Sequence, residues 1–159
     1  MIFVTVGTHY LGFERLIKKV DEIATRTDEE IVAQIGSTNY KPKNIKYFSF
    51  VEEENKILEL CKNSRVIVSH AGAGTLLTIF QYKKPLVVVP RLKKYNEHID
   101  DHQLELTEVI SKKGLASVIY DIENLEDVLN NSNTETNYTD RSNGNLTTFL
   151  KEYIGNIGK

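Results

Sequence analysis

Cysteine is almost missing from this chain: Cys61 is the single one among 159 residues. A lone thiol excludes an intramolecular disulfide framework and points to a reducing compartment. Long apolar runs are missing too. No segment approaches the roughly 18 consecutive apolar residues of a membrane helix. The first apolar run, Ile2–Val6, has no cation before it and is too short for a signal peptide. Neither sign of charge dominates. Twenty Lys and Arg against 22 Asp and Glu leave a net charge of −2, which gives no general reason to expect nucleic acid as a partner. No internal repeat is evident. What remains is the composition of an ordinary globular domain, 40% hydrophobic and 26% charged. A chain of this length can bury about 68–70% of its unfolded surface. The expectation is one soluble cytoplasmic domain.

The apolar pattern switches repeatedly between continuous runs and helical spacing. Ile2–Val6, Ile31–Ile35, Ile45–Val51, Arg65–Ser69, Pro85–Val89 and Ala116–Tyr120 read as six strands. Between them, Phe13, Leu16, Ile17, Val20, Ile23 and Ala24 recur on one face of a helix. Further helices are expected at Glu53–Asn63, from the turn at His70–Gly74 to Tyr82, at Asp101–Lys113 with Gly114 as its stop, and at Asn124–Asn131. Alternating strands and helices predict a parallel, Rossmann-like α/β sheet of about six strands with helices on both faces. Ligands of such sheets bind beyond the carboxyl ends of the strands, so the loops after Val6, Phe50, Ser69 and Val89 are the ones to inspect. Residues 1–129 form the expected domain. Residues 130–145 are rich in Asn and nearly devoid of apolar side chains, and read as a flexible linker. Residues 146–159 then repeat apolar positions at helical spacing, which predicts an amphipathic helix docked on its own domain or on a partner chain.

Three stretches carry candidate chemistry. Ser69-His70-Ala71-Gly72-Ala73-Gly74-Thr75 lies between a strand and a helix. Glycine there lets backbone approach a ligand, and amides at a helix start suit phosphate oxygens. A tight structural turn fits the same spacing. The stretch is neither a P-loop, which needs Gly-Lys-Ser/Thr, nor the dinucleotide fingerprint, which belongs after the first strand. The second stretch runs from Val89 to Gln103. Arg91, Lys93 and Lys94 follow a strand end, and Asp101, His102 and Gln103 open a helix. Cations suit an anion and the helix-start side chains suit several hydroxyls; a solvated surface loop is the other reading. His98 and His102 stand four apart without a nearby cysteine, so no metal is expected. The third stretch is Gly7-Thr8-His9 after the first strand. His9 could serve as a general base, a phosphate contact or a turn residue.

Together, Phe3-Val4-Thr5-Val6-Gly7-Thr8-His9, Ser69–Thr75 and Asn96-Glu97-His98 followed by Asp101-His102-Gln103 resemble the C-terminal, nucleotide-sugar-binding half of glycosyltransferase family 28. The resemblance is closest to the small free-standing members, which serve dolichol-linked glycan synthesis or, as PssE-type subunits, bacterial polysaccharide synthesis. It covers about residues 1–129 in order. It implies half of a GT-B-type enzyme: the donor-binding catalytic subunit of a two-chain inverting glycosyltransferase. A UDP-sugar would be the donor and a lipid-linked saccharide the acceptor, with no cofactor or metal needed. By the resemblance, backbone at Phe50 and Val51 faces uracil, and His70 belongs to the donor turn. Gly72, Ala73, Gly74 and Thr75 hold the diphosphate with Gly7, Thr8 and His9 nearby. His102 and Gln103 meet sugar or ribose hydroxyls. On chemical grounds Arg91 would stabilise the leaving group, and His9 is the candidate base unless the partner supplies one. The implied partner is a membrane-anchored acceptor-binding subunit, PssD-like or like the membrane subunit of the dolichol pathway, that brings the chain to the membrane. One position departs from the pattern: Thr78 stands where many relatives carry a ribose-binding Glu. That departure makes a non-catalytic accessory subunit the alternative.

Overall fold

A computed structural model describes residues 1–50, 54–132 and 145–157. In chain order the elements are β1 (Ile2–Thr5), α1 (Glu14–Ile23), β2 (Ile31–Gln34), β3 (Lys46–Phe48), α2 (Glu54–Asn63), β4 (Val66–His70), α3 (Ala73–Ile79), β5 (Leu86–Val89), α4 (His102–Lys112), β6 (Ser117–Val118), α5 (Leu125–Asn131) and α6 (Asn145–Ile157). The strands form one sheet in the order β3-β2-β1-β4-β5-β6, every pair parallel. This is the doubly wound order whose direction of winding reverses between β1 and β4.

The central strands β1, β4 and β5 are buried at every residue, because both faces of a parallel sheet are covered by helices. Alternate residues feed two cores. Ile2, Val4, Val68 and Val87 join Leu16, Ile17 and Val20 of α1 and Leu125 and Leu129 of α5 on one face. Phe3, Ile67 and Val88 join Cys61 of α2, Leu76 and Ile79 of α3, and Leu106 and Ile110 of α4 on the other. Gly114 follows α4 at φ +63°, the left-handed stop expected of it.

Three expectations change. The predicted seven-residue strand 45–51 shrinks to the three residues of β3, two of them exposed, because an edge strand pairs on one side only. The sixth strand is two residues long. Asn130 and Asn131, expected in the linker, instead complete α5; the rest of the expected linker, residues 133–144, lies outside the described part. The tail helix docks on its own domain. Leu150 of α6 is fully buried in the second core, with Phe149 and Tyr153 beside it, and α6 packs along α3. No helix among the described residues is long and apolar enough to cross a membrane.

Candidate functional site

The loops after β1 and β4 meet where the winding reverses, with the His70 side chain wedged between them. A Cβ at Gly7 would lie 2.4 Å from the His70 ring, and one at Gly72 would lie 2.1 Å from it. Gly7 also sits at φ +71°. Both glycines are therefore required by His70 itself. Gly74 has no such neighbour, since nothing lies within 4 Å of a Cβ built there. Burial first, and then the Arg91 charge, push the His70 imidazole down to about 3. It is a neutral wedge at physiological pH, and this is its placement relative to the cleft. No side chain caps α3 at Gly72, and the first helical bond runs from the Leu76 N–H to the Gly72 carbonyl at 2.9 Å. The N–H groups of Ala73, Gly74 and Thr75 precede that bond, as at any uncapped helix start.

Arg91 is not where the sequence reading put it. Its side chain is fully buried. Nη1 donates to the carbonyls of Leu11 (2.9 Å), Gly12 (3.0 Å) and Glu97 (3.1 Å), and Nη2 donates to Val6 (2.7 Å). Desolvation lowers its basicity to about 10 against the opposing pull of Glu97. The guanidinium thus staples the loop after β1 to the loop after β5, fully buried away from the surface. Glu97, also buried, completes the clamp. It accepts from Arg15 Nε and Nη2 at 2.8 and 3.0 Å and from the Leu92 N–H at 3.0 Å. Gln103 is committed in the same way. Its Oε1 accepts from the N–H groups of Ala71 (3.1 Å) and Arg91 (3.0 Å), joining the ends of β4 and β5. The exposed cations of this loop are Lys93 and Lys94.

Two cavities flank the paired glycine turns. One, of about 180 Å³, is lined by Gln34, Thr8, Thr75 and Thr78 together with Ile57 and Leu58 of α2. The other, of about 320 Å³, lies between Gly72, Ala73, His9, His102, Gln103 and Tyr153 of the tail helix. Phe50 is half exposed beyond the end of β3, and Val51 lies outside the described residues. Thr8 and Gly74 are exposed to solvent at the rims.

Histidines crowd the second cavity. The rings of His9 and His98 stack with centroids 4.7 Å apart. His9 is held below its ordinary pKa by burial, then by His98 and Arg91, with Asp100 opposing. The Leu11 N–H donates to His9 Nδ1 at 3.2 Å. Neutral His9 therefore carries its proton on Nε2 and presents a donor to the cleft. A ring nitrogen that carries its proton can donate to an anion and cannot take up a further proton. His98 Nδ1 lies 2.9 Å from Asp100, and the exposed His102 lies 3.6 Å from the same carboxylate. Helix α4 begins only at His102, so the two histidines do not share a helix face. Among the described residues, no group of three His, Cys, Asp or Glu side chains is placed to hold a metal.

Of the expected site residues, Gly7, Thr8 and Thr75 line the first cavity and His9, Gly72, Ala73, His102 and Gln103 the second, with His70 wedged between the two turns, whereas Arg91 is buried away from both and Gly74 lines neither. Sequence reasoning missed Tyr153, whose only signal was its place on the apolar face of the tail helix. It also gave Glu97 and Asp100 no role of their own.

The chain has relatives among known proteins. The chain matches the glycosyltransferase family 28 C-terminal domain over residues 1–155. It is 32% identical over 123 residues to the UDP-N-acetylglucosamine transferase subunit ALG13 of Homo sapiens, covering 71% of this chain and 10% of that one. It is 27% identical over 109 residues to the UDP-N-acetylglucosamine–N-acetylmuramyl-(pentapeptide) pyrophosphoryl-undecaprenol N-acetylglucosamine transferase of Prochlorococcus marinus (strain MIT 9515), covering 62% of this chain and 30% of that one. The chain therefore spans only a fraction of the length of these relatives. Among solved structures, the glycosyltransferase of kitacinnamycin superposes with a TM-score of 0.66 at 20% identity, covering 96% of this chain and 39% of that one; this likeness concerns the fold. With the doubly wound sheet, the paired glycine turns and the match over nearly its whole length, the chain belongs to the glycosyltransferase family 28 C-terminal domain family.

Proposed function

We propose that this chain is the donor-binding catalytic subunit of a two-chain inverting glycosyltransferase that moves a sugar from a UDP-sugar to a lipid-linked saccharide. The observation that carries this reading is the pair of cavities on either side of the turns at Gly7–His9 and Gly72–Thr75. In this reading the nucleoside takes the cavity beside α2 and the hexose the one beside α4. The diphosphate then bridges them across the glycine turns, where backbone amides meet its charge. The human and Prochlorococcus relatives are N-acetylglucosamine transferases by name, which favours UDP-N-acetylglucosamine as the donor and, from the latter, an undecaprenol-linked acceptor.

In the proposed reaction an acceptor hydroxyl attacks the anomeric carbon from the face opposite UDP. The new C–O bond forms as the bond to the β-phosphate oxygen breaks, and that oxygen keeps the electron pair. The amides of Ala73–Thr75 and the Nε2–H of His9 stabilise the leaving oxygen, so no divalent metal is needed for that charge. The acceptor proton passes to a base on the partner subunit. That partner is a membrane-anchored, acceptor-binding chain covering the carboxyl edge of the sheet, where Tyr10, Tyr95 and Ile99 stand exposed. It holds this subunit at the cytoplasmic membrane face.

Calorimetry with UDP tests the reading. Gly74→Ala is the informative variant, because the added methyl meets nothing in the protein and raises helix stability by about 0.5–1 kcal/mol. A methyl between the amides and a diphosphate should nevertheless weaken UDP binding at least fivefold. Unchanged affinity in a stabilised protein would remove the turn from the site. His9→Ala should cost UDP affinity and turnover together; lost turnover at full affinity would return the base to His9. The accessory reading has its support in Thr78, and it wins if UDP does not bind while a membrane partner is still stimulated.

A further inference from the structure

The cavity beside α4 has walls from four places in the chain, of which the loop after β1 supplies His9. Ala71, Gly72 and Ala73 come from the turn after β4, and Ile99, Asp100 and Gln103 from the approach to α4. The last wall is Tyr153, on a helix that follows the domain proper. Its position is fixed from both ends. Leu150, one turn earlier, is fully buried against α3 and α4 residues of the second core. The Tyr153 hydroxyl donates to the His102 carbonyl at 2.9 Å, at the first residue of α4. The hydroxyl is kept protonated by burial and by the carboxylates of Glu105 and Asp100, so it serves as a donor here. The cavity therefore combines an aromatic flank and small apolar walls with the polar groups of His9, Asp100 and His102. That mixture suits a ring with C–H faces and equatorial hydroxyls, which is a pyranose. A phosphate or a free base would waste one half of it.

We infer that Tyr153 is a specificity-determining residue of the sugar pocket. The tail helix α6 supplies the wall against which the transferred hexose packs. Sugar binding and tail docking then reinforce each other, since each completes the surface the other needs, and the coupling is reciprocal. The inference rests on the donor-site reading and adds to it that selection for the sugar resides partly outside the loops of the sheet, in the tail.

The test uses the full chain and three probes: UDP, UDP-glucose and UDP-N-acetylglucosamine. Tyr153→Ala should leave UDP affinity within twofold while weakening the tighter-binding UDP-sugar at least tenfold. Tyr153→Phe keeps the ring and should restore sugar affinity to within threefold. Leu150→Ala undocks the helix and should reproduce the selective loss with a lowered Tm. A second readout is limited trypsin cleavage after the exposed Lys151, which the UDP-sugar should slow at least fivefold and UDP should not. Equal weakening of UDP and UDP-sugar by Tyr153→Ala would overturn the inference and reduce Tyr153 to packing. Cleavage indifferent to the sugar would overturn it too, as would a wild-type chain that binds neither UDP-sugar more tightly than UDP. Failure of the unmodified chain to bind UDP at all is a different result: it would sink the donor-site reading itself, and this inference with it.

Discussion

At the scale of single residues, His70 ties the fold to pH. In the unfolded chain its imidazole titrates near the ordinary value of 6.5, whereas in the folded chain burial holds it down to about 3. Between those values the unfolded state carries the extra proton. Stability at this group is therefore complete above about 6.5 and is lost as pH falls toward 3, with a slope approaching about 1.4 kcal/mol per pH unit. His9 is shifted in the same direction and adds to the trend. Tm should fall as buffers are taken from neutral to mildly acidic, and His70→Asn should flatten the dependence; an unchanged slope would show that His70 protonates freely in the folded chain. The sequence announced a histidine in a glycine-bearing turn. It could not announce that the two glycines, 65 residues apart in number, are small for the sake of the same ring.

At the scale of elements, the loops around the cleft are held by one side chain. Arg91 reaches the carbonyls of Val6, Leu11, Gly12 and Glu97. A lysine keeps the charge but lacks the planar fork that meets several carbonyls at once. Arg91→Lys should cost about 2–4 kcal/mol in urea unfolding, the range for disrupting a buried, charge-assisted network. It should also loosen the loop after β1, read as faster amide exchange at Leu11 and Gly12. A stability loss below about 0.5 kcal/mol would contradict the staple. The same element shows where sequence reading stops. Strands β1, β4 and β5 were legible because burial on both faces forces continuous β-branched runs. Arg91 was not, because three of its four carbonyls come from residues about eighty positions earlier, and nothing in Pro90-Arg91-Leu92 records them. A cation after a strand end reads as a ligand contact until the distant acceptors are seen. The β3 edge failed for the opposite reason: its aromatic run suggested length, yet with a neighbour on one side only, Lys46 and Tyr47 stay exposed.

At the scale of the whole molecule, the two cores sit on opposite faces of one sheet and share its strands, so the domain is expected to unfold as a unit. Cys61 reports on that event. It is fully buried in the core with α2, α3, α4 and α6, and burial pushes its thiol up to about 11. A thiol reagent should leave the native chain untouched and label it at the rate of global opening, following the same denaturant midpoint as circular dichroism. Fast labelling in native buffer would mean that the face covered by the tail opens separately. The Gln103 side chain gives this cooperativity a mechanical meaning. By accepting from the Ala71 and Arg91 amides, its carboxamide imitates a peptide group and adds a rung to the β4–β5 ladder where the backbone has already diverged. The two lips of the cleft are spliced and cannot part like jaws. Any gating of the cleft therefore falls to surfaces laid across it, and the spliced lips act as the fixed anvil on which they close.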